Sequence, residues 1–87
     1  MTGSYSVLLK KSAERELRSL PTEALRRVAD RIKALATNPR PPGCEKLSGE
    51  DRYRIRQGDY RVVYAVDDGQ RIVEVVKVGH RREVYRK

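Results

Sequence analysis

At 87 residues the chain has room for one domain. Its 20 Lys and Arg against 12 Asp and Glu leave a formal charge of +8, which favours a polyanionic or acidic partner. A single cysteine excludes an internal disulfide and suits a reducing cytoplasm, one Cys with one His excludes a zinc site built from those ligands, and no apolar run is long enough to span a membrane.

Tyr5 to Leu9 reads as a first strand. Ser12 is a fitting N-cap for a short helix in which Ala13, Leu17 and Leu20 recur at helical spacing. Pro21-Thr22 breaks that helix and starts a second, with Thr22 as N-cap and Glu23 favourably placed in the first turn. Leu25, Val28, Ala29, Ile32, Leu35 and Ala36 then form one apolar stripe, while Arg26, Arg27, Asp30, Arg31 and Lys33 lie away from its centre. Asn38-Pro39 stops the helix, because the residue before a proline disfavours helical backbone. Residues 40–50 contain Pro and Gly, show no periodicity and read as a loop.

Three strands follow, Tyr53–Gln57, Tyr60–Val66 and Arg71–Val78, joined by turns at Gly58-Asp59 and Asp67-Asp68-Gly69. The order is β-α-α-β-β-β. A helical hairpin must bury its stripe against one sheet face, so the expected fold is a single α+β domain over residues 1–87. Its sheet is small, twisted, four-stranded and mainly antiparallel, with one face left open. Twenty Leu, Ile and Val with no Phe supply only a thin core.

The segment from Tyr53 to Tyr64 is the most informative. Side chains two apart on a strand share a face, so Arg54 and Arg56 point one way while Tyr53 and Ile55 point the other. Pairing as a hairpin brings Arg61 to the arginine face and turns Tyr60, Val62, Tyr64 and Val66 to the core. An arginine is costly to bury unpaired, so three on one exposed face imply an anion above them, with phosphate the leading candidate. The charge is also skewed: residues 1–51 carry a net +3 and residues 52–87 a net +5.

Several motifs, in order and at these spacings, resemble the RelE/ParE superfamily of bacterial toxins, and its RelE-like side in particular. They are Leu20-Pro21, Asn38-Pro39, Lys46-Leu47-Ser48-Gly49, Tyr53-Arg54-Ile55-Arg56, Gly58-Asp59-Tyr60-Arg61-Val62-Val63-Tyr64 and Val78-Gly79-His80-Arg81-Arg82-Glu83-Val84-Tyr85. The resemblance implies a RelE-like fold and a ribosome-dependent endoribonuclease that cuts mRNA in the A site by 2′-hydroxyl attack, with no metal or other cofactor. It implies as partners a small, DNA-binding, RelB-like antitoxin and the ribosome with its mRNA, with no membrane involved. Carried over by motif, the site residues are Arg54, Arg56, Arg61, Arg81 and Tyr85. The arginines would stabilise charge on the phosphorane, and Tyr85 would stack on a base or orient the 2′-hydroxyl.

The sequence departs from the best-known pattern, which has lysines where Arg54 and Arg56 stand. Arginine effectively cannot lose its proton, so the general base must come from elsewhere. His80, the one imidazole, adjoins Arg81 and titrates in the useful range; Glu83 is a weaker candidate, and Tyr85 or the ribosome are the remaining sources. Two other classes stay open: a ParE-like gyrase inhibitor and a non-catalytic nucleic-acid-binding module.

Overall fold

The structure is a computed structural model and describes residues 4–47 and 51–80. In chain order its elements are β1 (Ser6–Leu9), α1 (Lys11–Arg18), α2 (Thr22–Ala34), β2 (Glu45–Leu47), β3 (Arg52–Gln57), β4 (Tyr60–Asp67) and β5 (Ile72–His80). The strands form one sheet in the order β1-β5-β4-β3-β2. β1 runs parallel to β5, and every other pairing is antiparallel. The sheet thus has five strands rather than the expected four. β2 is the addition: three residues inside the expected loop, held as an edge strand by β3 alone.

The core lies between the helices and one sheet face. Val28, Ile32 and Leu35 of the second helical stripe, with Ala13 of α1, bury against Tyr53, Ile55, Val62, Tyr64, Val66, Val73, Val75 and Val78. Alternation accounts for the β3 and β4 members. β5 does not alternate cleanly, because its register with β4 shifts between Val63 and Tyr64: Tyr64 pairs with Val75, but Val63 pairs with Lys77. The extra residue, Val76, changes the phase of the strand, so that Val73, Val75 and Val78 all reach the core.

Polar contacts tie the layers together. β1 ends its pairing at Val75, so β5 beyond that point needs another partner on that edge. Glu16 of α1 supplies it, accepting the Val78 N–H at 2.9 Å and pairing with Lys77 Nζ at 3.2 Å. At the other end of the molecule Arg40 donates to both Asp68 oxygens, at 2.8 and 3.2 Å, and to the Tyr53 hydroxyl at 2.9 Å. The Tyr5 hydroxyl donates to Asp68 at 2.6 Å. This cluster joins the loop after α2, β3, the lead into β1 and the β4–β5 turn. Tyr64, fully buried, donates its hydroxyl to the Pro39 carbonyl at 2.6 Å, and burial raises its pKa above the usual phenol value.

Candidate nucleic-acid interface

β3 and β4 are joined by a two-residue turn, with Gly58 at φ +61°, where a residue without Cβ adopts positive φ at little cost. That turn sets a register in which Arg56 lies directly opposite Arg61 and Arg54 opposite Val63. Directly opposed residues share a face, so Arg54, Arg56 and Arg61 come together on the side away from the helices. Gly79 of β5 is opposite Arg61 and adds no side chain above it. The three arginines line a cavity of about 160 Å³ together with Gly43, Glu45 and Ile55.

The three are not equally exposed. Arg56 is exposed, Arg54 is half-buried, and Arg61 is only 6% accessible. Arg61 therefore does not stand on an open sheet face, as alternation alone implied. It is buried with one of its donors, Nη1, 3.3 Å from the Tyr60 carbonyl. Val63, on the same face, is buried as well.

A carboxylate that sequence reasoning missed also belongs to the site. Glu45 on β2 pairs with Arg54 on β3 in the sheet register, and Arg54 donates to Glu45 Oε1 through Nε at 3.1 Å and through Nη2. The Arg54 guanidinium holds the Glu45 carboxyl below its usual pKa, and the charges of Arg61 and Arg56 add to the effect. Glu45 is thus an anion already seated at the rim of a cationic cavity. No sequence signal marked it, since a three-residue edge strand carries no readable period.

His80 is placed elsewhere. It pairs with Tyr60 in register, and the ring contact is edge-on, with centroids 5.9 Å apart and planes at 82°. Both rings face the helix side, where His80 helps line a separate cavity with Glu16, Leu20 and Tyr60. His80 and the three arginines thus lie on opposite faces of the sheet. The physical cause is the β5 phase change, since without the extra residue His80 shares the face of Arg61. Arg81, Glu83 and Tyr85 lie outside the described residues. Among the described residues no three His, Cys, Asp or Glu side chains cluster in a way that could hold a metal ion, and no helix is long and apolar enough to cross a membrane.

The chain is similar to known proteins in sequence and in fold. The family model described as "ParE toxin of type II toxin-antitoxin system, parDE" matches residues 7–85. Toxin RelE of Mycobacterium tuberculosis is 34% identical over 84 residues, covering 94% of this chain and 87% of that protein. Toxin RelG of the same organism is 31% identical over 87 residues, covering 95% of this chain and 98% of the relative. Among solved structures, the archaeal RelE-RelB complex from Pyrococcus horikoshii OT3 superposes with a TM-score of 0.78 at 31% identity, covering 90% of this chain and 96% of the matched one. The intact RelBE toxin-antitoxin complex of Escherichia coli gives a TM-score of 0.79 at 25% identity, covering 88% and 96%. With the profile spanning nearly its whole length and RelE toxins matching it in both sequence and fold, the chain belongs to the RelE/ParE superfamily of type II toxin-antitoxin toxins.

Proposed function

We propose that the chain is a RelE-type toxin: a cytoplasmic, ribosome-dependent endoribonuclease that cuts mRNA in the A site. The observation that carries this reading is the convergence of Arg54, Arg56 and Arg61, with Glu45 at their rim, on one phosphate-sized cavity. The chemistry asks for a charge clamp and a proton acceptor. Arg56 and Arg61 are the clamp, since their planar forks match phosphate oxygens and stay ionised. Arg54 positions Glu45, and Glu45 accepts the 2′-hydroxyl proton as O2′ bonds to phosphorus. The P–O5′ bond breaks, its electron pair stays on O5′, and a proton from water completes the 5′-hydroxyl beside a cyclic phosphate. Arg81 and Tyr85 keep the roles that their motif implies, and no metal takes part in the step.

The partner in this reading is a small RelB-like antitoxin. It draws support from relatives solved as RelE-RelB complexes, and from a surface rich in basic side chains that suits an acidic wrapping segment. A second reading, gyrase inhibition, has one observation in its favour: the matching family model is described as a ParE toxin. Purified chain, incubated separately with mRNA-programmed ribosomes and with gyrase on relaxed plasmid, distinguishes the two. Cleavage within the A-site codon supports the ribonuclease. Loss of supercoiling with intact mRNA overturns it.

A further inference from the structure

Glu45 opens a three-residue edge strand that pairs with β3 alone. So short a strand gives its first residue little hold, because few ladder bonds offset the entropy of ordering it. Yet the Glu45 carboxylate keeps its contacts with both Nε and Nη2 of Arg54.

The segment before it supplies the hold. The Pro39 carbonyl accepts the buried Tyr64 hydroxyl at 2.6 Å, and Arg40 is bonded to Tyr53 and Asp68. From there Pro41-Pro42-Gly43-Cys44 closes a turn, with the Cys44 N–H donating to the Pro41 carbonyl at 3.1 Å. Proline fixes φ at the second position and Gly43 has φ +91° at the third, the combination of a type II turn. Cys44 is half-buried against the core, and Glu45 comes next. Gly43 itself lines the arginine cavity beside Glu45. The place a Cβ would take on Gly43 has no atom within 4 Å, so the position asks for glycine because of its backbone angle and not for want of space.

We propose that Gly43 is a positioning residue for the cleavage reaction: the turn that its positive φ allows sets Glu45 against Arg54 at the arginine cavity. This inference rests on the reading of Glu45 as base and adds the element that presents it. Placement matters because a misplacement of about 1 Å can slow a reaction by as much as 10²-fold.

The handedness of position 43 tests this. Gly43→Ala places an L-residue at a positive φ that it resists, whereas Gly43→D-Ala places there a residue that favours it. Cys44 makes the Gly43–Cys44 bond a ligation junction at which the full chain can be assembled with either. On programmed ribosomes Gly43→Ala should lower kcat about tenfold with KM nearly unchanged, because the arginines are untouched. Gly43→D-Ala should match the unsubstituted chain. In a Glu45→Gln background Gly43→Ala should add no further loss, as expected of two residues acting through one group. Carbon-13 NMR titration of the Glu45 carboxyl needs no ribosome. Its pKa should move up toward the ordinary carboxylate value in Gly43→Ala and stay depressed in Gly43→D-Ala. If alanine prevents folding, Gly43→Asn carries the comparison with a smaller shift of the same sign, since asparagine tolerates positive φ better.

An unmoved Glu45 titration in the folded variant overturns the inference. So does a loss of rate that persists in Glu45→Gln, which marks a general disturbance of the fold, or an equal loss with Gly43→D-Ala, which marks crowding of the cavity. A wild-type rate for Glu45→Gln, or no cleavage by the unsubstituted chain, overturns the reading of the site and the catalytic role of Gly43 with it. The titration separates that failure from a failure of the turn to set Glu45.

Discussion

Replacing Arg56 by alanine should change stability and activity in opposite directions. Arg56 and Arg61 are directly opposed across β3 and β4, an arrangement in which like charges destabilise a sheet by roughly 0.2–1 kcal/mol. Arg56 is exposed, so its removal leaves no cavity, whereas Arg61 is 6% accessible and its loss also vacates packed space. In a domain of this size each kcal/mol moves the midpoint by about 4–8 °C, so Arg56→Ala should raise Tm by about 1–8 °C. Cleavage should fall by roughly 10²–10³-fold, the scale for losing one charge-stabilising donor. Arg61→Ala should reduce cleavage similarly but lower Tm. Differential scanning calorimetry and single-turnover cleavage on programmed ribosomes read the two quantities on the same preparations. A lowered Tm for Arg56→Ala, or a wild-type rate, refutes the picture of a strained clamp kept for an anion.

Glu45→Gln should slow cleavage by about 10²-fold, within the range for a general base. The wild-type rate should stay flat near neutrality and decline only as pH falls below the ordinary carboxylate range, since the arginines depress the Glu45 pKa; a rate that instead climbs steadily from pH 6 to 8 assigns the base to another group. His80→Gln should leave both the rate and the pH profile unchanged, because the imidazole is on the helix side of the sheet; a slower rate or an altered profile in the folded variant refutes that reasoning. Asp68 has its pKa lowered to about 2 by its bonds with Arg40 and Tyr5, so its contribution to stability is present above the ordinary carboxyl pKa of about 4 and is lost as pH falls toward 2. Asp68→Asn should therefore narrow the gap in urea midpoint between pH 5 and pH 2, and an equal gap in both proteins counts against the cluster.

Much of this molecule was legible from residue order. The α2 stripe, the alternation of β3 and β4 and the Gly58-Asp59 turn are local patterns, and each is a direct consequence of backbone period. Together they placed Arg54, Arg56 and Arg61 on one face and Tyr53, Ile55, Val62 and Tyr64 on the other, as the register shows. The fifth strand was not legible, since Glu45–Leu47 becomes a strand only because β3 offers an edge to pair with. Glu45 entered the site by the same non-local event, and no property of its neighbours announced it.

The sequence by itself determined the α+β class, the core-facing residues of the hairpin and the cationic face, because these depend on contacts between near neighbours in the chain. Tertiary structure alone decided three things: the burial of Arg61, the pairing of Glu45 with Arg54 and the side on which His80 lies. The last turns on one residue. Val75-Val76-Lys77-Val78 can alternate in either phase, and a single register shift against β4 brings Val78 to the core and carries His80 with it. Since the side-chain period of a strand is two, a one-residue shift reverses the face of everything beyond it, and only the packing of β5 between its neighbours sets where that shift falls.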